Sequence, residues 1–190
     1  MRVIAGTYRS RPLATLPGLE IRPTSDKLRE TLFNVLCAGN KHALAGAMFL
    51  DLFAGTGAVG IEALSRGAGN VVFVESSAKA VGLIRENLKS LGVESGYSLL
   101  RSDVTAALRK LEGAGTSANV IFLDPPYAGQ ALYQGSLEAL SAWSGVGPET
   151  LIIAEHDKRF DPGASVGALQ RERKLTQGDA ALSFYRKVVT

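Results

Sequence analysis

Short apolar runs alternate with segments of helical periodicity along most of this 190-residue chain, and that alternation constrains the fold more than any other feature. Five apolar runs are predicted to be strands: 47–52, 70–74, 97–101, 119–123 and 150–154. Helical patterns follow the first four, at 59–65, 77–91, 104–111 and 131–143. Strands that alternate with helices form β-α-β units, in which the strands run parallel and helices cover both faces of the sheet. The sequence therefore predicts an α/β fold with an open, mostly parallel sheet.

The two ends of the chain depart from this alternation. Residues 169–176 and 181–189 are predicted to be strands joined through Gly178, a turn typical of antiparallel hairpins, which gives seven strands in all. Near the N-terminus we predict two short strands, at 2–8 and 19–21, and then a helix that Thr24 or Ser25 caps and Gly39 ends. We therefore expect a small hairpin-and-helix extension over 1–40 and the main domain over 41–190.

Composition excludes several classes of protein. The single cysteine, Cys37, cannot form an internal disulfide and is typical of the reducing cytoplasm, where we expect this protein. The longest weakly polar stretch, 43–61, contains Asp51 and several glycines, which argues against a membrane span. His42 and His156 stand alone, and no cluster of His, Cys and Asp has the spacing of metal ligands, so we expect no bound metal.

The net charge of +3 comes entirely from the first 30 residues. That segment holds six arginines and lysines against three carboxylates, whereas the remaining 160 residues carry fifteen charges of each sign. A local basic surface attracts polyanions through its long-range field and through counterion release. The placement of charge is compatible with nucleic-acid contact and equally with an ordinary solvated surface.

A glycine-rich loop follows the first strand of the main domain. In the segment that begins at Asp51, Gly55, Gly57 and Gly60 match the pattern G-x-G-x-x-G between a strand and a helix. Such glycines allow a tight turn and let a ligand approach the backbone beside the positive end of a helix. Several nucleotide and cofactor folds share this pattern, so it predicts a ligand site without naming the ligand.

Two further acids follow the next two strands. Glu75 lies 18 residues after Gly57, where a carboxylate can accept both hydroxyl groups of an adenosine ribose. Asp103 follows the third strand and could contact the adenine edge, although an aspartate before a helix is also an ordinary N-cap. The carboxyl ends of parallel strands meet at one edge of the sheet, where open α/β folds bind ligands.

The segment Asp124-Pro125-Pro126-Tyr127 follows the fourth strand and indicates the chemistry. Two successive prolines fix the backbone and remove two N–H donors, which leaves the Asp124 carboxylate and the Pro125 carbonyl as acceptors. Such acceptors can take both hydrogens of an exocyclic base amine, and Tyr127 offers a flat face for a base turned out of its stack. We therefore expect methylation of an amino group on a nucleobase.

These motifs, in this order, resemble the class I methyltransferases of the D/N-P-P-Y/F group that methylate amino groups. The resemblance extends to RPTSDKLRETLFN at 22–34, DLFAGTG at 51–57, EALSRGA at 62–68 and the segments 2–6 and 178–185. Over nearly its whole length the chain looks like the bacterial RsmD family, and 22–34 is the part most specific to that family. The resemblance implies a Rossmann-like domain that transfers methyl groups from S-adenosylmethionine to N2 of a guanine in small-subunit ribosomal RNA.

The resemblance also implies roles for particular residues. The cofactor would be bound by Asp51, Phe53, Ala54, Gly55, Thr56, Gly57, Glu75, Asp103 and Val104. The guanine would be held by Asp124, Pro125, Pro126 and Tyr127, and the RNA by Arg2, Arg9, Arg11, Arg22 and Thr24. We expect a monomer whose substrate is ribosomal RNA, within a small-subunit particle.

Three other interpretations are compatible with part of the sequence. A DNA adenine-N6 methyltransferase shares both motifs, but the chain has no room for a separate target-recognition domain. An NAD-dependent oxidoreductase would explain the glycine loop and leave Asp124–Tyr127 unexplained. A non-catalytic RNA-binding protein would not need the intact acids. The sequence does not identify the target nucleotide, whether it is reached on free RNA or on a particle, or the oligomeric state.

Overall fold

The structure of the chain is a computed structural model that describes residues 1–15, 26–40, 42–126 and 129–188. Its helices are α1 (Asp26–Leu36), α2 (Ala58–Ser65), α3 (Ala78–Leu91), α4 (Val104–Gly113) and α5 (Gln130–Ala142). Its strands are β1 (Met48–Leu52), β2 (Asn70–Glu75), β3 (Tyr97–Arg101), β4 (Val120–Leu123), β5 (Leu151–Asp157), β6 (Ser165–Val166), β7 (Leu169–Gln177) and β8 (Ala180–Lys187). Within these ranges the strands form one eight-stranded sheet.

The strand order is β3-β2-β1-β4-β5-β8-β7-β6. The first five strands in this order pair in parallel, and β8 pairs antiparallel with both β5 and β7. The chain moves outward from β1 to β3 on one side and continues from β4 on the other. This reversal beside β1 opens a crevice past the carboxyl ends of β1 and β4, which is where open α/β sheets bind ligands.

The central strands β1, β2 and β4 are largely buried, and because successive residues of a strand point to opposite sides, both faces of the sheet are covered there. On β1, Phe49 packs in a core with Phe33 of α1 and Ile84 of α3, whereas Leu50 packs on the other face with Leu137 of α5. Burying a side chain of this size stabilises a fold by about 1.5–3 kcal/mol. The continuous apolar runs in the sequence reflect this two-sided burial.

The predicted α/β fold is confirmed, with two differences of detail. The described part of the chain has eight strands in the sheet and not seven, because the two-residue strand β6 adds to its edge. The predicted strand at 2–8 was wrong: only an isolated bridge between Arg2 and Pro12 forms, and the chain turns at Gly6 and Ser10, which have φ values of 83° and 65°. The predicted strand at 19–21 and the helix caps Thr24 and Ser25 lie outside the described residues.

The N-terminal segment fails to form a strand because its N–H groups bond to helix α2. The backbone nitrogens of Ile4 and Ala5 donate to the two carboxylate oxygens of Glu62, at 2.8 and 3.0 Å. Thr7 donates to the carbonyl of Ser65 at 2.8 Å. A Cβ on Gly6 would lie 1.8 Å from that same carbonyl oxygen, so this close approach requires glycine.

Glu62 is fully buried, and two arginines balance its charge. Arg66 Nε donates to Glu62 at 2.7 Å, and Arg29 Nε of the fully buried Arg29 lies 3.9 Å from its other oxygen. A buried carboxylate is tolerated when it is paired and hydrogen-bonded, as Glu62 is. The N-terminal segment and α1 are thereby fixed to the helix that follows the glycine loop.

Trp143, the single tryptophan of the chain, ends helix α5 and is buried. Its indole packs so closely on Gly145 that a Cβ there would lie 2.3 Å from the ring. The carbonyl of Gly145 accepts from Ala118, which precedes β4. Trp143 therefore lies at the amino-terminal edge of the sheet, opposite the crevice.

The structure also bears on the membrane-span question, the cysteine and one of the two histidines. In the described ranges no helix is both long and apolar enough to cross a bilayer. Cys37 is half-buried directly after α1. His156 is buried and has two partners, the Ser183 hydroxyl at 2.9 Å and the Asp157 carbonyl at 2.8 Å, as a structural histidine would.

Candidate active site

Four acids converge at the carboxyl edge of the parallel strands. Asp51 lies within β1, Glu75 is the last residue of β2, Asp103 follows β3 and Asp124 follows β4. The Asp124 nitrogen donates to the Leu52 carbonyl at 3.4 Å and so joins the end of β4 to the end of β1. The structure thus brings all four acids to the crevice, at the edge of the sheet that the sequence predicted.

The glycine loop between β1 and α2 contains residues in the left-handed backbone conformation, two of them glycines. Phe53, Gly55 and Gly57 have φ values of 64°, 54° and 77°, in the left-handed region. Gly57 begins α2 without a side-chain cap, so the positive end of this helix faces the crevice. A Cβ on Gly60 would lie 2.3 Å from the ring of Phe73, so this glycine permits α2 to pack on β2.

Asp51 supports this loop from beneath. Its carboxylate accepts from the Gly60 nitrogen at 2.8 Å, and the side chain is buried. Burial raises the pKa of Asp51 to about 8, although the hydrogen bond from Gly60 acts in the opposite direction and lowers it. The described contact of Asp51 is therefore with the loop backbone, and its predicted place beside a cofactor stays a prediction.

The charge of Asp51 should make the stability of the cofactor-free protein depend on pH. A folded-state pKa near 8 against an unfolded value of 3.8 means that the folded protein retains a proton that the unfolded chain loses. The protonated Asp51 side chain therefore contributes stability that is fully present below about pH 4 and is lost as the pH rises toward 8. We expect Asp51→Asn to raise the Tm, by about 2–4 °C per kcal/mol regained, and the gain to increase from pH 5 to pH 8.

Thermal unfolding followed by circular dichroism across that pH range measures this gain. Glu94→Gln, at an exposed position after α3, controls for the loss of one titratable carboxyl group. An Asp51→Asn variant that is less stable than the wild type by the same amount at every pH would contradict this account.

Glu75 joins two loops of the crevice. One carboxylate oxygen accepts from the Gly55 nitrogen at 2.9 Å, and the other accepts from the Ser77 nitrogen at 2.8 Å. Ser77 itself caps helix α3 by accepting from Ala80. Each carboxylate oxygen can accept more than one hydrogen bond, so Glu75 can also receive a pair of ligand hydroxyls.

A cavity of about 180 Å³ opens beside Glu75. It is lined by Phe53, Val74, Glu75, Ser76, Ser102, Asp103, Val104, Pro126 and Leu132. Leu132 is 44% exposed and adds an apolar side chain to the lining of the cavity. Asp103 lines the cavity and also caps α4, because it accepts from the Ala106 nitrogen at 2.8 Å, so its N-cap interpretation is confirmed and its contact with adenine stays a prediction. Two carboxylates and several apolar side chains therefore line the same cavity.

The remaining residues predicted for the cofactor shape the glycine loop. The Ala54 nitrogen donates to the Val74 carbonyl at 2.9 Å, which fixes the loop to β2. The Thr56 carbonyl accepts from the side-chain amide of Asn87 at 3.0 Å. Asn87 is buried and also bonds to Ala14, so it connects the loop to the N-terminal segment. Sequence analysis missed Asn87, whose signal is an amide on the apolar face of α3.

The Asp124-Pro125-Pro126 segment leads from β4 toward helix α5. Pro125 is buried and Pro126 is exposed and lines the cavity. The hydroxyl of Tyr133 lies 3.4 Å from the Pro125 carbonyl and 2.8 Å from the Glu155 carbonyl. Tyr127, the last residue of the motif, lies outside the described residues.

A second cavity, of about 400 Å³, lies past the end of β5. It is lined by Gln130, Tyr133, Asp157, Arg159, Phe160 and Asp161. Tyr133 thus lines this cavity while its hydroxyl lies 3.4 Å from the Pro125 carbonyl, and Pro126 lines the smaller cavity, so the two prolines of the motif lie next to both cavities. Sequence analysis missed this cavity, since its residues form no recognisable motif.

The predicted RNA-binding arginines of the described N-terminal segment are exposed. Arg2, Arg9 and Arg11 all lie at the surface, and Arg11 donates to the Ser90 carbonyl at 2.6 Å, near the end of α3. Arg22 and Thr24 lie outside the described residues. Across the described ranges no group of three or more His, Cys, Asp and Glu side chains could hold a metal ion.

Comparison with known proteins gives the family. Residues 1–186 match the family model described as conserved hypothetical protein 95. The chain is 37% identical over 187 residues to the Bacillus subtilis protein YlbH. The matched region covers 98% of this chain and 99% of YlbH. It is 35% identical over 189 residues to ribosomal RNA small subunit methyltransferase D of Escherichia coli, covering 98% and 90% of the two chains.

Solved structures agree with this assignment. The yhhF protein of Escherichia coli superposes with a TM-score of 0.82 and 31% identity, covering 100% of this chain and 99% of that one. The fold is that of the α/β methyltransferases, with a mostly parallel sheet that ends in antiparallel strands. The chain therefore belongs to the RsmD family, the family of ribosomal RNA small subunit methyltransferase D.

Proposed function

We propose that this protein transfers a methyl group from S-adenosylmethionine to the exocyclic N2 of a guanine in small-subunit ribosomal RNA. The observation that carries the proposal is the position of the Asp124-Pro125-Pro126 segment directly after β4. Pro126 lines the smaller cavity, and the Pro125 carbonyl lies 3.4 Å from the hydroxyl of Tyr133, which lines the larger one. The relative from Escherichia coli named ribosomal RNA small subunit methyltransferase D supports the choice of RNA.

The residues around the smaller cavity fit the cofactor. Glu75 would accept the ribose hydroxyls, and Phe53, Val104 and Leu132 would pack on the adenine, with Asp103 at its edge. The positive end of α2 and the backbone of the glycine loop would lie at the methionine part. When bound, S-adenosylmethionine supplies an electrophilic methyl group.

The acceptors at the end of β4 would orient the nucleophile. The guanine amine has a lone pair that is delocalised into the ring, and it carries two hydrogens. When the Asp124 carboxylate and the Pro125 carbonyl accept those hydrogens, the lone pair is directed out of the base plane. The amine becomes acidic once it is methylated, so its proton can leave to Asp124 or to water without a stronger base. Catalysis then consists mainly of orientation and exclusion of water.

The N-terminal segment would provide the grip on RNA. We propose that residues 1–40 form an extension to the catalytic domain at 41–190 and that the exposed Arg2, Arg9 and Arg11 contact phosphates. Glu62 and Ser65 fix this segment to α2, so bound RNA would be held at a constant position relative to the glycine loop. A monomeric cytoplasmic enzyme that acts on a small-subunit particle is the form we propose.

Methylation of isolated particles tests the proposal. The protein is incubated with radiolabelled S-adenosylmethionine and small ribosomal subunits from cells that lack the enzyme, and the RNA is then digested to nucleosides. We expect label in N2-methylguanosine. Label in another nucleoside, in DNA, or in no nucleic acid would overturn the ribosomal assignment.

A further inference from the structure

The larger cavity, here named the β5 pocket, is lined by charged and aromatic side chains that have no role in the proposed mechanism. Its residues are Gln130, Tyr133, Asp157, Arg159, Phe160 and Asp161. Tyr133 lines the β5 pocket, and its hydroxyl lies 3.4 Å from the Pro125 carbonyl. The β5 pocket is therefore next to the segment that would hold the amine.

Arg159 is held in a fixed plane at the rim of the β5 pocket. Its Nε and Nη2 donate to the two carboxylate oxygens of Asp157, at 2.9 and 2.8 Å, and its backbone nitrogen donates to the same carboxylate at 2.8 Å. This pairing lowers the pKa of Asp157 and raises the pKa of Arg159, so both groups stay charged. The Arg159 side chain is nevertheless 81% exposed, and the Nη1 edge of its guanidinium remains available to a ligand.

An aromatic wall lies next to this guanidinium. The ring of Phe160 packs on Tyr133 with 5.0 Å between centroids and lies edge-on to buried His156 at 6.1 Å. Its backbone nitrogen donates to the Asp157 carbonyl at 3.0 Å. Because these partners fix Phe160, the pocket offers a rigid ring beside a rigid arginine, which suits an unstacked base.

The acids of the pocket are already paired, which argues against a cation as its ligand. Asp161 accepts from Arg171 at 2.5 and 3.2 Å and lies 3.7 Å from Lys174, while Asp157 is paired with Arg159. An arginine that a carboxylate holds in one orientation is suited to donate hydrogen bonds to a pair of neighbouring acceptors. Guanine presents such a pair in O6 and N7, across its ring system from the N2 amine.

We propose that Arg159, oriented by Asp157, recognises the O6 and N7 edge of the target guanine in the β5 pocket and thereby determines which base is methylated. The proposal rests on the proposed function, since it places the N2 amine at Asp124 and Pro125. Adenine carries an amino group where guanine has O6, so it would turn a donor toward the guanidinium. Arg159 is then a specificity residue for the reaction, beyond the motif that holds the amine.

The test uses small-subunit particles reconstituted with RNA that carries either guanine or 2,6-diaminopurine at the methylated position. The second base keeps the amine at C2 and replaces O6 by an amino group. Single-turnover rates are measured at saturating S-adenosylmethionine for the wild type, Arg159→Ala and Arg159→Lys. The control is Arg109→Ala, at an exposed arginine on α4, and circular dichroism checks that each variant is folded.

We expect the wild type to prefer guanine by about 10- to 100-fold, the range typical of one bidentate arginine–guanine contact. Arg159→Ala should slow the reaction of guanine by a similar factor and leave that of 2,6-diaminopurine unchanged, so that the preference disappears. Arg159→Lys should behave like the alanine variant because it keeps the charge and loses the planar fork. The Arg109→Ala rates should match the wild type.

Two results would overturn the inference while the proposed function stands. Equal slowing of both substrates by Arg159→Ala, with recovery in Arg159→Lys, would mean that Arg159 contacts a phosphate. Unchanged rates in both Arg159 variants would mean that it has no contact with the substrate. If the wild type places no methyl group on guanine N2 in the unmodified particle, both the proposed function and this inference are contradicted.

Discussion

Replacing Asp124 with alanine should slow methyl transfer by about 100- to 1,000-fold, the range seen when one preorganised polar group is removed from a reacting centre. Asp124 directly follows β4, and its backbone is fixed to β1 through the Leu52 carbonyl. Its carboxylate is one of two proposed acceptors for the guanine amine. Without it, the amine keeps one hydrogen unpaired and its lone pair stays in the ring. Single-turnover rates at saturating cofactor and particle measure the effect on chemistry alone.

Two further measurements separate this role from a general loss of structure. Affinity for S-adenosylhomocysteine, measured by calorimetry, and affinity for the particle should both stay within about two-fold of the wild type. Asp124 does not line the cavity beside Glu75, where we propose that the cofactor binds, and it lies outside the basic N-terminal segment. Asp124→Asn keeps the shape and one acceptor oxygen, so its rate should fall between those of the wild type and alanine. A wild-type rate in Asp124→Ala would rule out the proposed role.

Replacing Glu75 with alanine should weaken cofactor affinity by about 100-fold or more, because hydrogen bonds to a charged group contribute about 1.5–3 kcal/mol each. The substitution removes the proposed acceptor of both ribose hydroxyls. It also releases the Gly55 and Ser77 nitrogens, which the two carboxylate oxygens hold in place. Calorimetric titration with S-adenosylhomocysteine measures the loss.

Glu75→Gln sharpens this test, because a glutamine cannot satisfy both loops. Both carboxylate oxygens accept from backbone N–H groups, so the amide NH₂ must face one of these donors whichever way it turns. We expect an affinity loss in the glutamine variant too, smaller than in alanine. Glu94→Ala, at an exposed position after α3, is the control and should bind like the wild type. Wild-type affinity for S-adenosylhomocysteine in Glu75→Ala would mean that the ribose hydroxyls do not bind to Glu75.

The parts of the fold that were predictable from the sequence have a local cause. Strands β1, β2 and β4 are largely buried on both faces, and helices α3 and α4 each have one buried apolar face, so these segments specify their own structure. The acids at Glu75, Asp103 and Asp124 were located for the same reason, since strand ends fix their positions. Cofactor and substrate contacts of these residues remain predictions.

The parts that sequence reasoning missed depend on partners distant in the chain. Residues 2–8 alternate like a strand, yet their N–H groups bond to Glu62, some 58 residues away. Asn87 likewise bonds to both Ala14 and Thr56, which lie 73 and 31 residues away. No motif marks such contacts, because they arise only when separate elements pack together.

The position of Trp143 determines what intrinsic fluorescence can report. The only indole in the chain is enclosed against Gly145 at the amino-terminal edge of the sheet, far from the ends of the strands where the two cavities open. Its emission should stay constant during titration with S-adenosylhomocysteine and shift to the red when α5 detaches from the sheet. Tryptophan emission is therefore a probe of global unfolding in this enzyme, and ligand affinity has to be followed by heat or by label.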